Sequence, residues 1–187
     1  MKQSILALMC SFILGCSHAP VTPLPRAQDV DLERFMGPWY VIANIPTFIE
    51  KGAHNAVEHY AMNEDGSIAT TFSFNKNSFD GELKTYNPTG YVSEEDNSLW
   101  GMQFIWPIKA EYVIAYLSAD YQQTIIARSA RDYLWIMART PSIDADTLQQ
   151  LIQLSADMGY DTNKIQLIPQ RWNTNHQANN SEIGQGD

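Results

Sequence analysis

Few side chains in this sequence have the type and spacing that chemistry requires. There are two thiols, Cys10 and Cys16, and a thiol can act as nucleophile, disulfide partner or acyl acceptor. His54 and His59 flank Glu58. Along a strand, side chains five positions apart point to opposite faces, so these two histidines do not share a metal ion. No Gly-x-Ser-x-Gly elbow and no cluster with metal-ligand spacing occurs. Neither catalytic residues nor a metal site or cofactor is therefore expected. Glu58 has two arrangements open to it. By alternation with Tyr60 it faces inward, where burial would raise its pKa and let it meet a polar headgroup. Otherwise it stands solvated at a rim, the commoner arrangement.

What remains is apolar and aromatic chemistry, and the elements that must hold it. The chain has 187 residues, 44% hydrophobic and 11% aromatic, with a formal net charge of -9. That is enough for one packed domain. The acidic balance, with no Lys/Arg cluster, speaks against nucleic acid as a partner. It also rules out a basic patch as the means of membrane attachment.

The first residues have the layout of an export signal. Lys2 is followed by the apolar stretches Ile5–Met9 and Phe12–Leu14. This run is too short to span a bilayer and reads as a secretory signal over residues 1–15. It ends in Ile13-Leu14-Gly15-Cys16, which resembles a bacterial lipobox. The resemblance implies cleavage before Cys16 and acylation of its thiol, with Ser17 favouring delivery to the outer membrane. Cys10 lies in the removed segment, so the mature domain has no disulfide and relies on its core. Residues 16–30, with Pro20, Pro23 and Pro25, read as an acylated tether of extended character. The folded region is expected at 31–170. Residues 171–187, polar and without periodicity, read as a disordered tail.

Within 31–170 the signals are short strands. Trp39–Ile45, Ala56–Met62, Ser67–Phe74, Glu82–Val92, Leu99–Trp106, Glu111–Leu117, Thr124–Ser129 and Leu134–Ala138 are separated by turns. Asp65-Gly66 is a hairpin signal. Such a series predicts an all-β antiparallel sandwich or barrel. One helix interrupts it. Asp144 can cap its start, and Leu148, Leu151, Ile152, Ser155 and Met158 share one face. Gly159 ends it, and a last short strand, Lys164–Ile168, follows. The segments around Ile125-Ile126 and Leu134–Ala138 are apolar on both faces. The helix is therefore expected to cover them from outside.

At this point the sequence resembles the lipocalin family, within it the bacterial lipocalins related to apolipoprotein D. Gly37-Pro38-Trp39-Tyr40 matches the family's Gly-x-Trp, after a helical turn over Asp31–Met36. Asp120-Tyr121 stands where the family has Thr-Asp-Tyr, with Ala119 in place of Thr. Arg139 closes the run Arg131–Pro141. The resemblance covers about residues 30–170 and implies an eight-stranded antiparallel up-and-down barrel with one C-terminal helix packed outside. In that setting Gly37, Trp39 and Arg139 would close the barrel base. Arg139 would lie over the Trp39 ring, a contact worth about 0.5–2 kcal/mol, and donate to nearby carbonyls.

A barrel of this size holds one small ligand. Alternation from Trp39 puts Val41 and Ala43 inward. Tyr60, Phe72, Trp100, Phe104, Tyr112 and Trp135 are the expected lining, with Met102 and Phe74 as further candidates. The alternative is that these aromatics pack a solid core. The loop Pro46–Asn55, with Phe48 and Ile49, could cover the open end as a lid, or meet a membrane or a second copy of the chain in a homodimer. The resemblance implies a carrier of a fatty acid or lysophospholipid in envelope maintenance, anchored at the outer membrane through acylated Cys16. It implies no enzyme. A few lipocalins do catalyse, one type through a pocket thiol, but the mature chain here has only Cys16. Haem ligation by a single His occurs in this type of fold, whereas His54 and His59 read as surface residues. A lipid-modifying enzyme and a structural or assembly lipoprotein are the remaining alternatives.

Overall fold

The computed structural model describes residues 23–172. The expected leader over residues 1–15, the expected acylation site Cys16 and most of the polar C-terminal segment lie outside that range. A one-turn helix α1 (Leu32–Phe35) leads into β1 (Gly37–Ile45), β2 (Ala53–Met62), β3 (Ile68–Lys76), β4 (Leu83–Tyr86) and β5 (Thr89–Val92). Then come β6 (Leu99–Ile105), β7 (Ile108–Leu117), β8 (Gln123–Ala127) and β9 (Leu134–Ala138). Helix α2 (Ala145–Asp157), a 3-10 turn (Thr162–Lys164) and the short β10 (Gln166–Leu167) complete the described chain. No described helix is long and apolar enough to cross a membrane.

β4 and β5 both pair with β3 and form two halves of one broken strand. Pro88, which has no N–H to give to a ladder, lies at the break. Counting them as one gives eight antiparallel strands in meander order. Pairing of β1 with β9, from Tyr40 opposite Ala138 to Ile45 opposite Leu134, closes the barrel. Closure leaves no long unpaired edge.

Two apolar layers flank the strands. Inside, at the closed end, Phe35, Trp39, Tyr60, Ile68 and Trp100 pack together. Outside, Leu151, Met158 and Tyr160 cover Ala43, Val113, Ile125, Leu134 and Ile136. β8 and β9 are buried on both faces for this reason, as their composition predicts. Asp144 caps α2, its carboxylate accepting from the Thr147 N–H at 2.8 Å. Gly159 takes φ +89° beyond the helix end, where a Cβ would be strained.

The base closes as the motifs imply. Arg139 lies 3.8 Å from the centre of the Trp39 ring. It donates to the carbonyls of Pro38 at 2.9 Å, Arg34 at 2.7 Å and Phe35 at 3.1 Å. The Trp39 indole donates to the Phe35 carbonyl at 2.9 Å. Gly37 enters β1 at φ +91°. Tyr121 takes part too: its hydroxyl accepts from the Asp31 N–H at 2.9 Å, and Arg34 lies 3.9 Å from its ring centre.

Three expectations change. Ala43 faces outward beneath α2, not inward. A bulge between Val41 and Ala43 in the pairing with β9 inserts one residue and inverts the alternation. Residues 23–30 are not a free tether: Ala27 donates to the Ile114 carbonyl at 2.9 Å and Val30 is buried. The packed chain also runs past 170. The Trp172 ring meets Tyr40 edge-on at 5.3 Å, and the Arg171 N–H donates to the Asn55 side chain at 2.7 Å.

Candidate functional site: a cavity inside the barrel

Above the packed closed end the barrel is hollow. The cavity measures about 480 Å³, within the range of small-molecule sites. β3 contributes Thr70 and Phe72, β6 Met102 and Phe104, β7 Ala110 and Tyr112, and β9 Trp135. The walls are mostly apolar because these positions alternate inward around a closed sheet. A second hollow, about 500 Å³, lies on the outer surface between residues 23–28 and the barrel. Arg26, Asp96, Glu111 and Ser129 line it, which makes it polar and unsuited to an acyl chain.

Four of the six expected lining residues, Phe72, Phe104, Tyr112 and Trp135, face the cavity, as does Met102. Phe104 stands at the rim, half exposed. Tyr60 and Trp100 do not line it; they lie beneath its floor. Trp100 stacks on Tyr112 at 5.3 Å and meets Tyr60 edge-on at 5.6 Å. Their alternation is inward, but the closed end is filled, and inward there means core. Phe74 also points inward but lies on the mouth side of Phe72, where it packs 5.3 Å from Phe72 and 6.3 Å from Tyr86 and does not line the cavity.

The floor carries a carboxyl. Glu58 on β2 is buried and faces the cavity. The Tyr60 hydroxyl donates to it and shares a 2.6 Å hydrogen bond with the Tyr112 hydroxyl. Burial, with a smaller push from Glu50, raises the Glu58 pKa to about 8. At neutral pH the floor is thus largely uncharged, which an apolar ligand requires. Burial and the nearby Glu58 also raise the Tyr112 hydroxyl. The solvated-rim alternative for Glu58 does not hold. Beside it, the buried Thr70 hydroxyl has no hydrogen-bond partner among the described residues.

Glu50 is a lining residue that the sequence reading missed. It sits in the β1–β2 loop, where acidic residues are ordinarily solvated. Here it accepts from Asn44 at 2.9 Å, Thr47 at 2.7 Å and the Trp135 indole at 2.9 Å. These bonds lower its pKa less than burial raises it. The one available signal was Asn44, a polar residue within an apolar strand. The same loop puts Ile49 on the cavity wall and leaves Phe48 82% exposed. It lines the entrance.

At the entrance stands Arg128. It pairs with Asp132 at 3.1 Å and lies 5.4 Å from the centre of the Tyr133 ring. Its buried Nε has no hydrogen-bond partner among the described residues. His54 contacts the Gly52 carbonyl at 3.0 Å, and His59 is exposed. Among the described residues no three metal-ligating side chains come together.

Comparison with known proteins agrees with this geometry. The model of the Lipocalin-like domain matches residues 30–170. Temperature-induced lipocalin-1 of Arabidopsis thaliana is 32% identical over 150 residues, 76% of this chain and 81% of that protein. The outer membrane lipoprotein Blc of Vibrio cholerae is 26% identical over 175 residues, 90% of this chain and 99% of that one. Among solved structures, insecticyanin of the tobacco hornworm Manduca sexta superposes with a TM-score of 0.63 at 13% identity. That match covers 82% of this chain and 87% of insecticyanin, and shows a shared fold.

Proposed function

Because the chain belongs to the lipocalin family, we propose that it binds one single-chain lipid, a fatty acid or lysophospholipid, inside the barrel. Binding of a small hydrophobic ligand is the function that family and cavity support together. The observation that carries the finer reading is the polarity gradient of the cavity. Its floor is an uncharged carboxyl, its walls are apolar, and its entrance holds Arg128, whose Nε is unpaired among the described residues. An acyl chain fits the depth, and a carboxylate or phosphate fits the guanidinium. About ten buried methylenes at about 0.8 kcal/mol each supply about 8 kcal/mol before the costs of association.

The protein is a carrier or scavenger in this reading, not an enzyme. The lipobox-like Ile13-Leu14-Gly15-Cys16 and the likeness to an outer membrane lipoprotein support anchoring there through acylated Cys16. The test is displacement of a fluorescent fatty acid by oleate, lysophospholipid and a neutral alcohol of equal length. Arg128→Gln should weaken the two anionic ligands about tenfold, the loss of one charge-assisted hydrogen bond, and spare the alcohol. Equal weakening of all three would remove Arg128 from the headgroup role. No displacement by any of them would remove the lipid.

A further inference from the structure

The two ends of the barrel differ in polarity. The closed end carries the β2–β3, β5–β6 and β7–β8 turns, and these are acidic: Glu64-Asp65, Glu94-Glu95-Asp96 and Asp120. The segment leading into α1 adds Asp29 and Asp31, and α1 itself adds Glu33. The open mouth carries large apolar tips instead. Phe48 in the β1–β2 loop and Trp106 in the β6–β7 turn are each 82% exposed. Ile105 and Ile108 flank Trp106 and are also exposed, with Lys109 next in sequence. The β3–β4 and β8–β9 loops at the same end are polar, with Asp80, Glu82 and Asp132. Single exposed apolar residues are ordinary; two apolar tips beside the entrance to an apolar cavity mark a surface with a partner.

The course of the N-terminal segment identifies that partner. At the closed end Val30 accepts from the Asn97 side chain at 2.9 Å, and the Asp31 N–H donates to Tyr121. Toward its start the segment climbs the outer wall beside β7. Pro23 and Leu24 share a groove with Glu111 and Ser129. Glu111 also lines the cavity, and Ser129 lies in the β8–β9 loop at the mouth. The segment therefore leads N-terminally toward the open end. From Pro23 back to Cys16 the chain can reach at most about 25 Å. A ten-residue strand such as β7 rises about 25 Å along the axis of a barrel with a 40° tilt. An anchor at Cys16 thus holds the mouth against a bilayer with chain to spare. To hold the closed end there, the tether would have to double back at full stretch.

We propose that the open mouth faces the bilayer, with Phe48 and Trp106 seated among phospholipid headgroups and the acidic closed end turned away. This rests on the acylated-Cys16 reading above. Aromatic side chains favour the headgroup region, and the acidic turns are repelled from an anionic surface. A ligand would then pass between membrane and cavity without crossing water.

The test uses the acylated full chain in phosphatidylcholine vesicles with brominated acyl chains, which quench nearby tryptophans. Trp39 and Trp100 are buried at the closed end, Trp135 lines the cavity and Trp172 packs on the outer wall. Trp106→Phe should remove most of the quenched intensity. Quenching that survives in this variant reports lipid at Trp135 within the cavity, which keeps the ligand reading separate. If mass spectrometry confirms acyl groups on Cys16 while Trp106 stays unquenched, the orientation is wrong and the lipoprotein reading stands. Absence of both acyl groups and Trp106 quenching would overturn both. A concentration-dependent dimer that shields Trp106 from bromolipid would assign the mouth to a second copy, and would also overturn the proposal.

Discussion

Glu58→Gln should make the protein more stable, and increasingly so as pH rises. The carboxyl titrates near 4.5 when exposed and near 8 in the folded barrel, chiefly because it is buried. Below pH 4.5 it is protonated in both states and folding stability does not depend on it. Between the two values only the unfolded chain releases its proton, so each pH unit costs the fold about 1.4 kcal/mol. Above pH 8 the loss levels off at about 5 kcal/mol. Glutamine has no proton to lose and can accept the same hydrogen bond from Tyr60. Glu50 is shifted in the same direction, so both chains should weaken on alkalinisation, and the difference between them isolates Glu58. Urea unfolding followed by circular dichroism, from about pH 4.5 to 9, measures it. The two stabilities should nearly coincide at the acid end and diverge steadily up to pH 8. Parallel curves would refute the reasoning and mean that water reaches the carboxyl.

Ligand affinity should follow the same titration: an ionised Glu58 sets a charge under the acyl chain, so fatty-acid binding at about pH 9 should fall about tenfold from pH 6.5, and Glu58→Gln should flatten the profile. Arg139→Ala removes the cover of Trp39 and the donor for three backbone carbonyls; by denaturant unfolding it should cost about 2–4 kcal/mol. Trp100→Ala should cost about 3–5 kcal/mol of stability, because the ring is core beneath the floor; weakened binding in an equally stable protein would return it to the lining. Ala110→Trp should fill part of the cavity and abolish fatty-acid binding while circular dichroism stays native.

The strand series, the capped helix and the base motifs were legible because each depends on local chemistry. Asp144 and Gly159 mark a helix by what backbone ends require. Trp39 and Arg139 meet as the family pattern implies. The inward list failed where three-dimensional context decides. No residue type announces the bulge that turns Ala43 outward. Tyr60 and Trp100 alternate inward correctly, but alternation does not say how far up the barrel the packed layer reaches. Glu50 is polar and lies in a loop, and only the fold brings Asn44 and Trp135 to it.

The central claim is a lipid held inside the barrel. Native mass spectrometry of the full-length protein isolated from the cells that express it addresses it directly. The account predicts one added mass per chain, equal to a single-chain fatty acid or lysophospholipid, that is lost in Ala110→Trp. A chain at its bare mass, unchanged after incubation with such lipids, would contradict it.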